Sequence, residues 1–307
     1  MIIDKREIKK VRLILNPIAG TSNNLRRLLR RIKTELNTAD PDLQLKISLT
    51  GDSGDALLFA KEAVEEGYEM VITVGGDGTI NEVVNGLVGS NTILGAIPLG
   101  TANVFAEELG IPINIEGACK LLLTGRIHRV DLGKIEDRYF LWIAGIGLDA
   151  YIAEHLAPIE KENLGIFAYF FFALRQLRKL KSYQVKIRIN GKSVTRDALC
   201  IIVGNAASYS SPLEISALSS ISDGYLDILL FKRLTLSGIF RSIFWFTVGR
   251  RTYYRDVKYF DIEYFKVKDA FIDTYPKALA HADGEVVGTV PVNVTIFPKS
   301  LSIILPD

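Results

Sequence analysis

The sequence is poor in cysteine, methionine and tryptophan, with two of each among 307 residues, and it has no long hydrophobic run. Crossing a bilayer takes roughly 20 consecutive apolar residues, and the longest uninterrupted stretch, Ile166 to Leu174, stops at Arg175 at less than half that length. No spanning helix is expected, although 48% of the residues are hydrophobic. The segment Met1-Ile2-Ile3-Asp4-Lys5-Arg6-Glu7 carries charges where a signal peptide needs its apolar core, so a cytoplasmic location is expected. Cys119 and Cys200 lie in apolar stretches with no Cys or His at ligand spacing, which points to buried thiols and not to a disulfide or zinc site. Charge of one sign is not in excess either: 37 Lys and Arg face 35 Asp and Glu. Such a balance gives no electrostatic case for nucleic acid. Internal repeats and low-complexity linkers are missing too. These absences exclude disordered, collagen-like, disulfide-scaffold and integral membrane classes.

What remains is enough chain for about two domains, each with its own core. The first third alternates strand and helix signals. Val11–Leu15 reads as a short apolar strand ending at Asn16-Pro17. After it Leu25, Leu28, Leu29, Ile32 and Leu36 share one helical face, and Arg26, Arg27, Arg30, Arg31 and Lys33 fill the other, a solvated face and not a nucleic-acid site. Leu45–Leu49, Met70–Val74 and Ile93–Ile97 are further strands, each followed by a helical pattern, the first of these helices stopped by Gly67. Strands separated by helices and not by hairpin turns predict a mainly parallel sheet. Near Val130 the rhythm changes. Gln184–Ile189, Asn190-Gly191 and Ala198–Val203 read as a hairpin, and Leu226–Phe231, Tyr259–Val267 and Val292–Ile296 as strands of a mostly antiparallel second half.

Ligands of α/β sheets bind beyond the carboxyl ends of the strands, where helix N-termini present free N–H groups. Three glycine-bearing turns hold that position: Asn16-Pro17-Ile18-Ala19-Gly20, Gly75-Gly76-Asp77-Gly78-Thr79 and Leu99-Gly100-Thr101-Ala102-Asn103. Glycine lets backbone amides approach phosphate oxygens, and Thr79 and Thr101 add hydroxyls. Three such turns in succession favour a phosphate-bearing ligand, while G-x-x-x-x-G-K-[ST] and G-x-G-x-x-G are both absent.

These residues resemble the diacylglycerol kinase catalytic-domain family, which includes bacterial soluble lipid kinases, sphingosine kinases and ceramide kinases. The resemblance is carried by Asn16-Pro17-x-x-Gly20, by Gly75 to Gly86 and by Pro98-x-Gly100-Thr101-x-Asn103. It continues through Arg129-Val130-Asp131-Leu132-Gly133, Ser222-Asp223-Gly224-Tyr225-Leu226-Asp227 and His281-Ala282-Asp283-Gly284-Glu285. It implies an α/β nucleotide domain over residues 1–130 and an antiparallel β-sandwich over 131–297, with residues 298–307 able to return to the first domain and the active site in the cleft between the two. It further implies ATP as phosphoryl donor, held by Asn16, Pro17, Ile18, Ala19, Gly20, Thr50, Gly75, Gly76, Asp77, Gly78, Thr79, Ile80, Asn81, Glu82 and Thr101. Asp77 is then expected near the phosphates and a catalytic Mg²⁺. Asp283 and Glu285 match the pair at the reaction centre, with Glu285 favoured as base, and Asp131 matches an acidic residue supporting the metal network. Asp223, with backbone oxygens near Ser220 and Tyr225, matches a second, structural Mg²⁺ site. In one departure from the family, Asn103 is followed by Val104, where many relatives carry Asp or another polar residue.

A lipid acceptor requires access to a membrane. Ile166–Leu174 followed by Arg175, Arg178, Lys179 and Lys181, and Ile239–Phe246 followed by Arg250 and Arg251, combine aromatic and basic residues suited to transient association with the inner face of a membrane. The expected function is an ATP- and Mg²⁺-dependent lipid kinase. Two alternatives stay open: a kinase for a soluble hydroxyl compound such as NAD, and a lipid-binding module with a vestigial nucleotide site. Oligomeric state is open as well, a homodimer included.

Overall fold

The computed structural model describes residues 8–19, 25–39, 42–101, 103–155, 182–205, 213–214, 220–233, 252–253 and 261–306. The chain divides into two compact units, Met1–Val130 with Lys299–Asp307, and Asp131–Pro298. The two aromatic-basic stretches, Gly20 and Ala102 lie outside the described residues.

The first unit runs β1 (Lys10–Leu15), α1 (Leu25–Ala39), β2 (Gln44–Leu49), α2 (Asp55–Glu65), β3 (Met70–Gly75), α3 (Asp77–Leu87), β4 (Ile93–Pro98), α4 (Val104–Glu108), α5 (Ile115–Thr124) and the start of β5 (Arg126–Ile135). Its sheet has the order β2-β1-β3-β4, extended on the far side of β4 by the end of β18 (Val292–Leu305), and these neighbours are all parallel. β3 and β4 are buried at every position, as expected of strands covered on both faces, and hence they read as continuous apolar runs. In α1 Leu28, Ile32 and Leu36 are buried and the five basic residues are exposed. α2 ends in a Schellman motif: Tyr68 N–H reaches the Ala63 carbonyl at 2.8 Å and Gly67, at φ 69°, reaches that of Val64 at 3.2 Å. From β1 the chain steps outward to β2 and then across to β3 on the other side. This reversal puts a topological switch point between the ends of β1 and β3.

The second unit contains β6 (Arg138–Phe140), β7 (Ile143–Gly147), α6 (Leu148–His155), β8 (Tyr183–Ile189), β9 (Lys192–Ala198), β10 (Cys200–Gly204), β11 (Leu213–Glu214), β12 (Leu226–Arg233), β13 (Thr252–Tyr253), β14 (Asp261–Val267), β15 (Asp269–Tyr275), β16 (Leu279–Ala282), β17 (Glu285–Thr289) and the first part of β18. One antiparallel sheet has the order β14-β12-β10-β7-β16-β17; in the facing layer β15 lies between β8 and β18, and β9 pairs with β8. Ile146, Ile201, Val203, Ile228 and Leu230 from one layer pack with Val185, Ile187, Ile272, Val292 and Val294 from the other. The result is the antiparallel β-sandwich that the family resemblance implies.

One strand has a different partner from the one its sequence predicts. Asn190 and Gly191, at φ 48° and 76°, make the tight turn expected of Asn-Gly. However, the strand that returns beside β8 is the charged Lys192–Ala198, with Ile189 opposite Lys192. The apolar run that follows crosses to the other layer, where Cys200–Gly204 lies between β12 and β7. β9 is exposed along most of its length, so it lacks the apolar signature by which the buried β10 was recognised.

Candidate active site

Three glycine turns meet at the switch point of the first unit. Asn16, just past β1, donates its backbone N–H to Val74 O at 3.0 Å and its amide Nδ2 to Thr79 Oγ1 at 3.3 Å, while its own Oδ1 accepts from Ile18 N at 3.1 Å. Leu99 N–H bonds Gly75 O at 2.8 Å, tying the third turn to the second. A Cβ at Gly100 would lie 2.7 Å from Gly76 Cα, so the second and third turns touch backbone to backbone and only glycine fits. Gly76 is the N-cap of α3 and supplies no capping side chain. Among the described residues no acceptor takes the first-turn N–H groups of Gly78 and Thr79, which leaves the positive end of α3 available to an anion. A cradle that any Cβ would fill, edged by unclaimed amides, fits a nucleotide phosphate.

The sequence-predicted residues divide by role around this cradle. Gly76, Asp77 and Gly78 reach the surface, whereas Thr79, Ile80 and Asn81 are buried beneath them. Glu82 turns away to the next loop: its carboxylate accepts from Gly54 N at 2.9 Å, Ser53 Oγ at 3.4 Å and Ala56 N at 3.1 Å, capping α2. Thr50, in the same loop, is held by its N–H to Leu15 O at 3.0 Å. The loop is further ordered by Asp55, whose carboxyl is held below its ordinary value by N–H groups of Asp52 and Gly51. Pro17, Ile18 and Thr101 are exposed, and Ala19 is half-buried.

Asp77 links two of the turns. Its oxygens accept from Val104 N at 3.2 Å and Phe105 N at 3.0 Å, so it caps the short α4. Burial pushes its carboxyl up from the ordinary Asp value, against the pull of those two N–H groups. Among the described residues no group of three His, Cys, Asp or Glu stands close enough to hold a metal ion. A cation at Asp77 therefore depends on the oxygens of the phosphate it accompanies.

In the second unit Asp283 and Gly284, at φ 47° and 88°, form the two-residue turn joining β16 to β17. Asp-Gly is a favoured pair for such a turn, yet the Asp side chain does more. Asp283 Oδ2 accepts from Leu141 N at 2.9 Å, and Oδ1 accepts from Trp142 N at 3.1 Å and Ile143 N at 2.9 Å. Glu285 points elsewhere, pairing with Arg138 through a bond from Nη2 to Oε2, with 42% of its side chain exposed. The turn thus presents one carboxylate that is tied into backbone and one that solvent can reach.

Asp131 is buried and organises the loop before β12. Its Oδ2 accepts from Gly224 N at 2.6 Å, and its N–H donates to Ile221 O at 2.6 Å. Asn205 joins it, donating Nδ2 to the carbonyls of Asp131 and Leu141 at 2.9 and 2.8 Å. In that loop Asp223 N–H bonds Ser220 O at 3.2 Å, and Asp223 Oδ1 accepts from Tyr225 N at 3.0 Å. Asp223 Oδ2 already has a cation, Lys266 Nζ at 2.8 Å, whose pKa is raised chiefly by that hydrogen bond. Lys266 and Lys268 also lie over the Tyr225 ring, at 5.2 and 5.4 Å from its centre. With an ammonium seated on its only carboxylate, the set Ser220, Asp223 and Tyr225 does not fit a divalent cation as arranged, and no step is assigned to one there.

Sequence reasoning passed over Arg138, Asn205, Lys266 and a buried pair, Asp149 with His281. His281 offered a signal, since it stands two residues before Asp283 in an apolar strand. The others carry none that a single sequence shows, because their partners lie tens of residues away. Both cysteines are buried, and burial pushes the Cys119 thiol up to about 11 and Cys200 higher still.

Comparison with known proteins agrees with this architecture in both units. The family model for the diacylglycerol kinase catalytic domain matches residues 10–135, and that for the YegS C-terminal NAD kinase beta sandwich-like domain matches residues 143–305. The chain is 34% identical to an uncharacterized protein of Synechocystis over 96% of this chain and 70% of that protein. It is 28% identical to a diacylglycerol kinase of Staphylococcus aureus, over 97% and 93% of the two chains. A crystal structure of a diacylglycerol kinase from Bacillus anthracis superposes with a TM-score of 0.74 at 27% identity, covering 97% of each chain. A second solved chain from that organism reaches a TM-score of 0.80 at 30% identity, over 97% of this chain and 95% of that one. The chain belongs to the diacylglycerol kinase catalytic-domain family, and is a kinase.

Proposed function

We propose that the kinase transfers the γ-phosphoryl group of ATP to a lipid hydroxyl, with diacylglycerol the first acceptor to test. The observation that carries the nucleotide half is the glycine cradle, where Gly76 and Gly100 touch beside the uncapped start of α3. The acceptor half rests on the names of the relatives and on the solvent-reachable Glu285. An alcohol is a weak nucleophile until its proton is taken as the new phosphorus–oxygen bond forms. In this reading Glu285 takes that proton, the γ-phosphoryl passes to the lipid oxygen, and ADP leaves with the electrons of the broken bond. Asp283 keeps the turn on the 141–143 backbone, and Asp131 keeps the 220–225 loop in place. A magnesium ion accompanying ATP supplies charge neutralisation along the phosphates. Asp77 would hold it, through lone pairs that Val104 and Phe105 leave free.

The second unit's match is to a domain named for NAD kinase, so NAD belongs in the assay. With γ-labelled ATP and a panel of extracted lipids plus NAD, label should enter the lipid phase. Label in NAD instead would make the soluble acceptor the right one. ATP binding without transfer to any acceptor would leave a binding module.

Two further outcomes follow. Gly100→Ala must push the turns apart, and the ATP Kd should rise about tenfold or more, equivalent to ~1.4 kcal/mol; calorimetry giving an unchanged Kd would remove the cradle as the nucleotide site. Arg175, Arg178 and Lys179 lie outside the described residues, but their sequence predicts attraction to anionic lipid worth about 1 kcal/mol per charge. Replacing all three with Glu should abolish co-sedimentation with phosphatidylglycerol vesicles, and undiminished co-sedimentation would exclude that contact.

A further inference from the structure

The Asp283-Gly284-Glu285 turn is tethered at each of its residues, and the tether at the middle one reaches furthest into the core. Gly284 donates its N–H to His281 Nδ1 at 3.1 Å. An imidazole nitrogen that accepts carries no hydrogen, so Nε2 is the protonated one and donates to Asp149 Oδ2. His281 is 3% exposed and the Asp149 side chain 11%. Asp149 sits in the first turn of α6, where a carboxylate is favoured by the helix dipole. Gly145, opposite His281 on β7, leaves the room: a Cβ there would lie 2.1 Å from Asp149 Oδ2 and 2.3 Å from His281 Nε2. Three elements, β7, α6 and β16, thus build one buried pair in which the accepting nitrogen of the histidine meets a backbone amide.

That amide belongs to the residue with the freest backbone in the turn. Gly284 tolerates both signs of φ, so with its N–H unclaimed it can rotate, and any rotation there redirects the next side chain, Glu285. We propose that Asp149 and His281 are positioning residues: the pair fixes the histidine tautomer, the tautomer fixes the Gly284 amide, and the amide aims the Glu285 carboxylate. The catalytic consequence rests on the lipid-kinase reading above, whereas the tautomer does not. Misplacing a reacting group by about an ångström costs on the order of 10²-fold in rate, so loss of aim should appear in kcat and not in binding.

Two side chains separate aim from packing. His281→Asn keeps an oxygen acceptor where Nδ1 stands, and His281→Gln keeps a polar group near Nε2 but removes the acceptor facing Gly284. With γ-labelled ATP and phosphatidylglycerol vesicles containing diacylglycerol, His281→Gln should lower kcat roughly 10- to 100-fold. Both KM values should stay within about twofold of wild type, and His281→Asn should recover most of the loss. Equal losses in the two variants, following their loss of stability, would mean packing alone and would overturn the proposal, as would wild-type turnover in His281→Gln. Independently of any acceptor, NMR of the wild-type protein with ¹⁵N-histidine should show His281 protonated on Nε2 only. The Nδ1–H form or an imidazolium at neutral pH would also overturn it. Wild-type turnover in a Glu285→Gln control would instead remove the assigned base and leave the tautomer result standing.

Discussion

Glu285→Gln should leave a folded, ATP-binding protein whose turnover falls by about 10²- to 10⁴-fold, the range general-base help contributes. The substitution preserves shape and removes only the ability to take a proton. It also weakens the pair with Arg138, but that pair is partly exposed, with side-chain accessibilities of 25% and 42%. An ion pair of this kind is worth roughly 1 kcal/mol at most, so the melting temperature should hardly change. Single-turnover kinetics on preloaded ATP would separate the chemical step from binding. A rate within about threefold of wild type, on the scale where tenfold is 1.36 kcal/mol, would exclude Glu285 as base.

Asp283→Ala should act first on stability. The carboxylate accepts three backbone N–H groups, from Leu141, Trp142 and Ile143, and hydrogen bonds to a charged group contribute about 1.5–3 kcal/mol each. They are part-buried and share one side chain, so water recovers some of the loss. A net destabilisation of about 3 kcal/mol is the reasonable expectation, large against total stabilities of roughly 5–15 kcal/mol. The backbone adds to it: at φ 47° Asp283 occupies the left-handed region, which Asp and Asn visit more readily than Ala. Asp283→Asn keeps one acceptor oxygen and the backbone preference, so it should fall between. Urea unfolding measures both, and a change under about 0.5 kcal/mol for the Ala variant, the scale of an ordinary surface substitution, would show that the three bonds carry no weight in solution. Turnover should fall as well, because the turn that carries Glu285 is no longer held to the 141–143 backbone.

The half of the fold most legible in the sequence is the half whose strands are covered on both faces. Val11–Leu15, Met70–Val74 and Ile93–Ile97 are apolar except for the buried Arg12 and Thr73, because no face of them meets water, and their glycine turns stand immediately after them. β9 was illegible for the opposite reason: Lys192–Ala198 pairs through backbone groups that every residue shares, while its side chains face solvent. At the site, the glycine-turn pattern singled out the stretch holding Asp77, and the family resemblance singled out Asp131, Asp223 and Asp283, but neither gave the direction of each carboxylate. Asp77 caps a helix, Asp283 collects three amides, and Asp223 takes Lys266, a partner 43 residues along the chain. Direction depends on which donors the fold brings near, and a single sequence carries no record of those distant pairings.

The last strand, β18, has a consequence for how the molecule is made. Its first residues pair with β15, Val292 opposite Ile272, and its later ones with β4, Ser302 opposite Ile93. Until residues 301–305 have left the ribosome, the edge of β4 has no neighbour on that side and the parallel sheet is one strand short. An unpaired strand edge is a template for other chains. The first unit, although nearly all of it is translated before the second, therefore gains this strand only after the second has been made, and until then the open edge of β4 is exposed to pairing with other chains.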